Sequence, residues 1–303
     1  MNTEQPRVSI IMSSYNHEQF VQKAIESAMN QTYKNIEFIV IDDGSKDDSP
    51  ALLKSLQEKY GFYLECRTNH GLVKTLNYAL KNLVTGKYVC ILDSDDYFSL
   101  DKIEKQVKVL EENPECGLCY HPICFVDENN NIISTKIDER NARTGYIFEE
   151  FFKGDMHIPD GGVLIPLKVF EDVNYYDEDI PIEDYQLWFK ILSKYPVCYI
   201  NEQLTYYRKH SDQVSNNEYK MLLWEIQLID RWQFHPLYAK AAPYIYNRWF
   251  AKLALFDKKL ALKYLFKSLK YRMTYTNKHF YKGLRRLLFY WNQIQIKHSA
   301  KGI

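Results

Sequence analysis

The chain has 303 residues, with 39 Lys/Arg balancing 39 Asp/Glu, so its formal net charge is zero. Hydrophobic residues make up 46% and aromatics 15%, a composition that excludes a disordered chain and leaves ample material for a buried core in one large or two smaller domains. No apolar run approaches the ~20 residues that cross a bilayer, and the polar start Met1–Arg7 lacks a signal-peptide pattern.

Charge is unevenly placed. Residues 1–235 hold 24 Lys/Arg against 38 Asp/Glu, whereas residues 236–303 hold 15 Lys/Arg against the single acid Asp257. An acidic body with a basic tail concerns partners rather than fold. Six cysteines without a secretory signal point to a reducing cytosol and free thiols.

In chain order, Arg7 to Met12 reads as a first strand, closed by Ser13-Ser14-Tyr15-Asn16-His17. The spacing of Phe20, Val21, Ala24, Ile25 and Ala28 predicts a helix over 18–30. Ile36 to Ile41 is a second strand that ends in Asp42-Asp43-Gly44-Ser45, and Ser49-Pro50 can start a helix over 51–60. A short strand over 63–67, the turn Asn69-His70-Gly71 and a helix over 72–83 follow. Tyr88 to Leu92 is an apolar run of strand formers that stops at Asp93-Ser94-Asp95-Asp96. The alternation of strand and helix predicts an α/β fold with a doubly wound, mainly parallel sheet flanked by helices.

Beyond Asp101 the pattern predicts a helix over 102–113 and a strand over 117–125, then a turn at 127–131 into a hairpin with Ile132-Ile133. Residues 135–159 give mixed signals. A strand at 161–165 and a short helix from Lys168 precede Pro181-Ile182-Glu183-Asp184, which opens an amphipathic helix over 185–194. A last strand region over 197–207 leads to Arg208-Lys209-His210, and from Glu218 the pattern is helical.

Two neighbouring strands that both end in acids form the informative constellation. Ligands of open α/β sheets bind beyond the carboxyl ends of the strands. Three carboxylates on one turn repel unless a cation sits among them, and Mg²⁺ or Mn²⁺ held by oxygen ligands usually shares its coordination with substrate phosphates. A sugar nucleotide offers base, ribose and pyrophosphate in a row, and Tyr15 at the first strand end suits stacking on a base. The plainer alternative for each acidic stretch is a tight turn followed by a helix cap.

The run Val8-Ser9-Ile10-Ile11-Met12-Ser13-Ser14-Tyr15-Asn16 is followed in order by Ala28-Met29-Asn30-Gln31-Thr32-Tyr33, Asp42-Asp43-Gly44-Ser45, Asn69-His70-Gly71 and Leu92-Asp93-Ser94-Asp95-Asp96. This series resembles the family 2 inverting glycosyltransferases of GT-A fold. Glu183-Asp184 before Leu187, and Tyr207-Arg208-Lys209-His210 before Ser211, look like the later motifs of that family, so the resemblance spans about residues 5–215. It implies that Asp43 contacts the base, Asp93 the ribose, and that Asp95 is the main metal ligand, with Asp93 and His210 beside it. Ser13, Tyr15, Asn16, Asn69, Lys74, Ser94, Arg208 and His210 would complete the donor site, and Asp184 would be the general base, with Glu183 its rival. A helix start lowers the pKa of a carboxyl, which suits Asp184 to that task, although capping would also explain both acids. Leu76-Asn77 stands where the family often has Arg-Asn, so Lys74, Arg208 or His210 would have to supply positive charge to the diphosphate. The first motif also reads Ser-Ser-Tyr-Asn where Pro-Thr-Tyr-Asn is common.

Cys116, Cys119, His121 and Cys124 invite a zinc reading, but strand alternation would send Cys119 and His121 to one face and Cys116 and Cys124 to the other, which favours buried thiols. The tail mixes cations with Tyr244, Tyr246, Trp249, Phe250, Tyr264, Phe280, Tyr290, Trp291 and other aromatics on helices expected over 260–271 and 280–296. Such basic amphipathic helices suit an anionic membrane surface rather than nucleic acid; a helical subdomain with a solvated basic face is the alternative.

The expectation is therefore a catalytic domain over 1–215 and a basic helical region over 216–303. The chain would be a cytoplasmic protein, peripheral at the inner face of the cell membrane. It would move a sugar from a nucleotide sugar, expected to be UDP-linked, to a growing surface glycan, lipid-linked or not, with Mn²⁺ or Mg²⁺. A nucleotidyltransferase would need a basic, Gly-rich loop that Ser13 to His17 does not supply. A non-catalytic nucleotide-sugar-binding module would bind donor without transfer.

Overall fold

The structure is a computed structural model that describes residues 5–159 and 161–289. The described strands are β1 (Val8–Ser14), β2 (Ile36–Asp42), β3 (Tyr63–Cys66), β4 (Tyr88–Ile91), β5 (Tyr97–Phe98), β6 (Leu118–Tyr120), β7 (Ile123–Val126), β8 (Ile132–Ser134), β9 (Leu164–Pro166), β10 (Val197–Tyr199) and β11 (Thr205–Arg208). The helices are α1 (Val21–Met29), α2 (Ser49–Tyr60), α3 (Leu72–Asn82), α4 (Lys102–Glu112), α5 (Phe148–Lys153), α6 (Leu167–Asp172), α7 (Glu183–Leu192), α8 (Glu218–Arg231), α9 (Tyr238–Leu253), α10 (Lys258–Ser268) and α11 (Lys278–Phe289).

The chain divides into two compact units, residues 1–148 with 157–213, and residues 149–156 with 214–303. In the first, a seven-stranded sheet has the order β10-β6-β9-β4-β1-β2-β3. Its pairs are parallel except where β9 runs against β4 and β6. The apolar runs anticipated for β1, β2 and β4 are buried because helices cover the sheet: Val8, Ile10, Val40 and Cys90 have no exposed surface, nor have Val21, Ala24 and Ile25 of α1, which pack into the same core.

A second, four-stranded sheet, β5-β11-β7-β8, was not foreseen. The expected single strand over 117–125 switches sheets at His121-Pro122, where a missing N–H breaks the ladder: β6 stays in the large sheet and β7 joins the small one. The strand region over 197–207 divides in the same way into β10 and β11. The expected hairpin is present as the antiparallel pair β7 and β8.

The expectation of six free thiols is corrected. Cys116 and Cys198 form a disulfide, whereas Cys66, Cys90, Cys119 and Cys124 are free. Parallel pairing of β6 with β10, extended by the bond from Gly117 N–H to the Pro196 carbonyl at 2.8 Å, brings the two Cα atoms to 6.1 Å.

The second unit is built from α8–α11 around an aromatic core. Trp249, Phe250 and Tyr264 are almost fully buried, and the rings of Trp249 and Tyr264 meet edge to face at 5.0 Å. Much of the tail's aromatic content is thus core. Glu225 on α8 binds Arg248 Nη2 at 2.7 Å and Trp249 Nε1 at 3.0 Å on α9. Asp257 caps α10 by accepting from Leu260 N–H. Tyr290, Trp291 and the end of the helix expected to reach Ile296 lie outside the described residues.

Candidate active site

Parallel pairing sets the carboxyl ends of β1, β2 and β4 side by side, with Val8 opposite both Ile36 and Tyr88. The loops leaving those ends carry Tyr15-Asn16-His17, Asp43-Gly44-Ser45 and Asp93-Ser94-Asp95-Asp96, so the motifs converge on one sheet edge.

At the end of β2 the acids organise their own loops. Asp42, 1% exposed, accepts from the N–H groups of Gly44 and Ser45 at 3.2 and 3.0 Å and from Ser45 Oγ at 2.5 Å. Asp43 accepts from His70 N–H at 3.0 Å, Gly71 N–H at 2.8 Å and Thr75 Oγ1 at 2.8 Å, and its carbonyl accepts from Asn69 Nδ2 at 2.8 Å. A carboxylate has about four lone-pair directions, so Asp43 keeps about one for a ligand. Gly44 (φ +84°) lets these loops touch, because a Cβ there would lie 2.6 Å from Asn69 N.

At the end of β1, Asn16 adopts a left-handed conformation (φ 55°) and its Oδ1 accepts from Lys46 N–H at 2.7 Å. Tyr15 is 45% exposed, Ser13 is half-buried, and Asn69 and Lys74 are exposed.

The acid turn after β4 is closed by residues more than a hundred positions away. Its continuation, β5, pairs antiparallel with β11, Phe98 opposite Thr205 and Tyr97 opposite Tyr206, which returns Arg208 and His210 to the turn. His210 Nε2 lies 2.9 Å from Asp95 Oδ2. His17 Nδ1 lies 2.7 Å from Ser94 Oγ, and the imidazoles of His17 and His210 meet edge to face.

Arg208, expected as a positive contact for a diphosphate, is turned toward the chain itself. It is 1% exposed. Its Nε donates to the Asp95 carbonyl at 2.7 Å, Nη1 to the Glu128 and Asp127 carbonyls at 3.1 and 3.3 Å, and Nη2 to Asn130 Oδ1 at 3.0 Å. The guanidinium also lies over the Phe20 ring at 4.8 Å. Burial among carbonyl groups of the acid turn and the β7–β8 hairpin commits the fork to holding the site together.

Burial pushes both Asp95 and Asp96 toward the neutral form, with opposite outcomes. At Asp95 the hydrogen bond from His210 and the proximity of His17 outweigh it, and the carboxyl falls below its usual range. Asp96, buried beside Asp95 and Asp93, is pushed well above it. Burial lowers the His17 pKa against the pull of Asp95, which keeps a neutral imidazole, the metal-binding form.

Ligand atoms of His17, Asp95 and His210 all lie within 4.8 Å of one another, and they are the one such group among the described residues. Two imidazoles and a carboxylate fit a divalent transition ion. Asp93, expected as a further ligand, is not in the group; its side chain instead lines a small cleft with Asp184, Gly161, Gly162, Tyr176 and Trp188. The carboxyl groups of Glu183 and Asp184 fall in the first turn of α7. Gln186 steadies the chain just before that turn, donating to the Ile180 carbonyl at 2.7 Å and accepting from Asp177 N–H at 2.6 Å.

Residues 9–173 match the glycosyl transferase family 2 description. The chain belongs to that family. It is 33% identical to an uncharacterized glycosyltransferase of Rickettsia typhi over 73% of this chain and 70% of the relative. It is 30% identical to the UDP-Glc:alpha-D-GlcNAc-diphosphoundecaprenol beta-1,3-glucosyltransferase WfaP of Escherichia coli over 71% of this chain and 82% of that one. The chain spans only 34% and 42% of two longer rickettsial relatives. Among solved structures, S. aureus TarS 1-349 in complex with UDP-GlcNAc superposes with a TM-score of 0.68 at 14% identity, covering 97% of this chain and 92% of that one. The mannosyltransferase PcManGT from Pyrobaculum calidifontis, in complex with GDP-Man and Mn2+, gives 0.61 at 17% identity, covering 95% and 88%. The GT-A fold and the glycosyltransferase class expected from the motifs therefore hold for this family 2 enzyme.

Sequence reasoning missed His17 and Tyr176. The first had a signal, since it follows Tyr15-Asn16 in a strand-end loop. The second had none, because its place in the cleft depends on how the segment before α7 folds back.

Proposed function

We propose that this glycosyltransferase acts by a metal-assisted inverting displacement, moving a sugar from a UDP-linked donor to a hydroxyl of a growing surface glycan, with a lipid-linked acceptor. The observation that carries the reading is that Asp93 and Asp184, ninety-one positions apart, line one cleft beside the acid turn. The relative's name, which specifies a UDP-glucose donor and a diphosphoundecaprenol-linked acceptor, supports the choice of substrates.

In this reading the donor lies along the sheet edge. Tyr15 stacks on the base, the free lone pair of Asp43 accepts from it, and Ser13, Asn16, Asn69, Ser94 and Asp93 serve the ribose and neighbouring groups. Lys74 is the exposed cation left for the diphosphate. His17, Asp95 and His210 would hold Mn²⁺ or Mg²⁺, and the two imidazoles favour Mn²⁺. A bound divalent ion supplies countercharge to the leaving diphosphate. Asp184 takes the proton of the acceptor hydroxyl as its oxygen bonds to the anomeric carbon, and the bond from that carbon to the diphosphate oxygen breaks on the opposite face. Attachment to anionic lipid uses the basic second unit, where Phe266, Tyr281, Leu288 and Phe289 are exposed. No helix among the described residues is long and apolar enough to cross a membrane.

The test is Asp184→Asn, which should retain UDP-glucose binding by calorimetry and lose ~10²–10⁴-fold in turnover. Full activity in Asp184→Asn with a dead Glu183→Gln reverses the pair; activity in both removes the base from α7.

A further inference from the structure

The cleft between Asp93 and Asp184 has a back wall whose polar atoms are unused. Tyr176 is 3% exposed and its hydroxyl has no hydrogen-bond partner; Trp188 is 3% exposed and its Nε1–H has none either. Both side chains line the cleft. Buried donors left unpaired destabilise the protein that carries them, and where they line a cleft a ligand entering it can pair with them.

The chain also fixes Tyr176 more firmly than packing alone would require. Its N–H donates to Asn77 Oδ1 at 3.1 Å and its carbonyl accepts from Asn77 Nδ2 at 3.0 Å, so a buried amide on α3 clamps its backbone from both sides. The two residues before it, Asn174 and Tyr175, are both left-handed, with φ of 57° and 54°. Such conformations cost free energy in residues other than glycine and survive where the surroundings over-determine them. On the far side, Gly162 has no room for a side chain, since a Cβ there would overlap Lys102 Cε. Burial, with Asp184, Glu183 and Asp93 acting in the same direction, holds the Tyr176 phenol protonated, so its hydroxyl remains a donor.

We infer that Tyr176 Oη–H and Trp188 Nε1–H form a two-donor subsite for one oxygen of a sugar ring or its substituent, and that Tyr176 is a specificity-determining residue of this transferase. The inference rests on the nucleotide-sugar reading above. Two donors lining one cleft suit an oxygen with two lone pairs, a hydroxyl or an acyl carbonyl, while the carboxylates of Asp93 and Asp184 in the same lining suit the hydroxyl hydrogens of that ligand. The oxygen belongs either to the donor sugar or to the acceptor. A site built to hydrogen-bond one substrate oxygen rejects the analogue that lacks it, because its own buried groups are then left unpaired.

The experiment compares the full-length protein with Tyr176→Phe, which removes only the hydroxyl. Three readouts are taken: thermal midpoint without ligand, calorimetric affinity for UDP and for UDP-glucose with Mn²⁺, and acceptor KM. The expected result is an unchanged or higher midpoint, unchanged UDP affinity, and a loss of about tenfold or more either in UDP-glucose affinity or in acceptor KM. The first loss assigns the oxygen to the donor sugar and the second to the acceptor. Trp188→Phe should lose in the same column. A clear fall in the ligand-free midpoint of Tyr176→Phe overturns the proposal, since it means the hydroxyl is paired within the protein. Wild-type and variant that bind and transfer alike also overturn it. Wild-type protein that binds no nucleotide sugar defeats the functional reading itself, a separate outcome.

Discussion

Arg208→Met distinguishes a residue that holds the site together from one that touches substrate. The substitution keeps much of the side chain's volume and removes the fork. It strips donors from the carbonyls of Asp95, Asp127 and Glu128 and from Asn130 Oδ1, and withdraws a cation that acts on Asp96. Hydrogen bonds to a charged group contribute roughly 1.5–3 kcal/mol each. Simple addition overshoots here, because Asp96 is already pushed toward its neutral form and the hairpin turn is near solvent. Buried carbonyls left without donors cost about 1–3 kcal/mol each, so a total of about 3–5 kcal/mol is expected. At about 2–4 °C per kcal/mol for a unit of this size, the midpoint should fall by roughly 6–20 °C. Differential scanning calorimetry measures the fall, and Mn²⁺ titration should show weakened binding because the Asp95 backbone is no longer held. A midpoint within about 2 °C of wild type, with loss confined to donor affinity, would refute this account and return Arg208 to the diphosphate.

Three further outcomes follow from the geometry. Asp95→Asn should fold normally, lose most Mn²⁺ binding in calorimetry and abolish transfer; activity that survives excess chelator counts against the His17–Asp95–His210 site. Glu225, held at a pKa of about 2 by Arg248 and Lys252 against its burial, stabilises the second unit at neutral pH. Its folded pKa is depressed, so that contribution, on the order of 3 kcal/mol, is complete above about pH 5 and lost as pH falls toward 2; Glu225→Gln should flatten this acid limb in pH-dependent denaturation. Finally, full-length protein should sediment with vesicles containing phosphatidylserine and be released by salt, since each cation near such a surface is worth up to ~1 kcal/mol; no binding at low salt removes the membrane role.

The sequence made the backbone of the site legible because its signals are local. Apolar runs marked β1, β2 and β4, and each ended in residues with a recognisable strand-end chemistry. Asp184 at the start of α7 was readable for the same reason. What could not be read depends on long-range placement. His121-Pro122 sits in a run that looks like one strand, and only the competition between two sheets splits it. Strand β5 is two residues long, too short for any periodicity, yet its pairing decides where Arg208 points. Cys116 and Cys198 are separated by 82 residues, so no spacing rule could join them. Tyr176 and Trp188 stand out only through their unpaired buried donors, which no sequence pattern marks.

The distance along the chain between the acid turn and its buried arginine also governs when the site can exist. Arg208 emerges 112 residues after Asp96, which at typical synthesis rates is an interval on the order of 10 s. During that interval the turn has neither its guanidinium brace nor His210, and the three neighbouring carboxyl groups repel one another. Closing so long a loop carries an entropic cost that the pairing of β11 with β5 and β7 offsets. A partial chain on the ribosome can therefore assemble the β1–β2–β4 sheet edge well before it possesses a finished acid turn. The acid turn is complete only once β11, the last strand among the described residues, has been made.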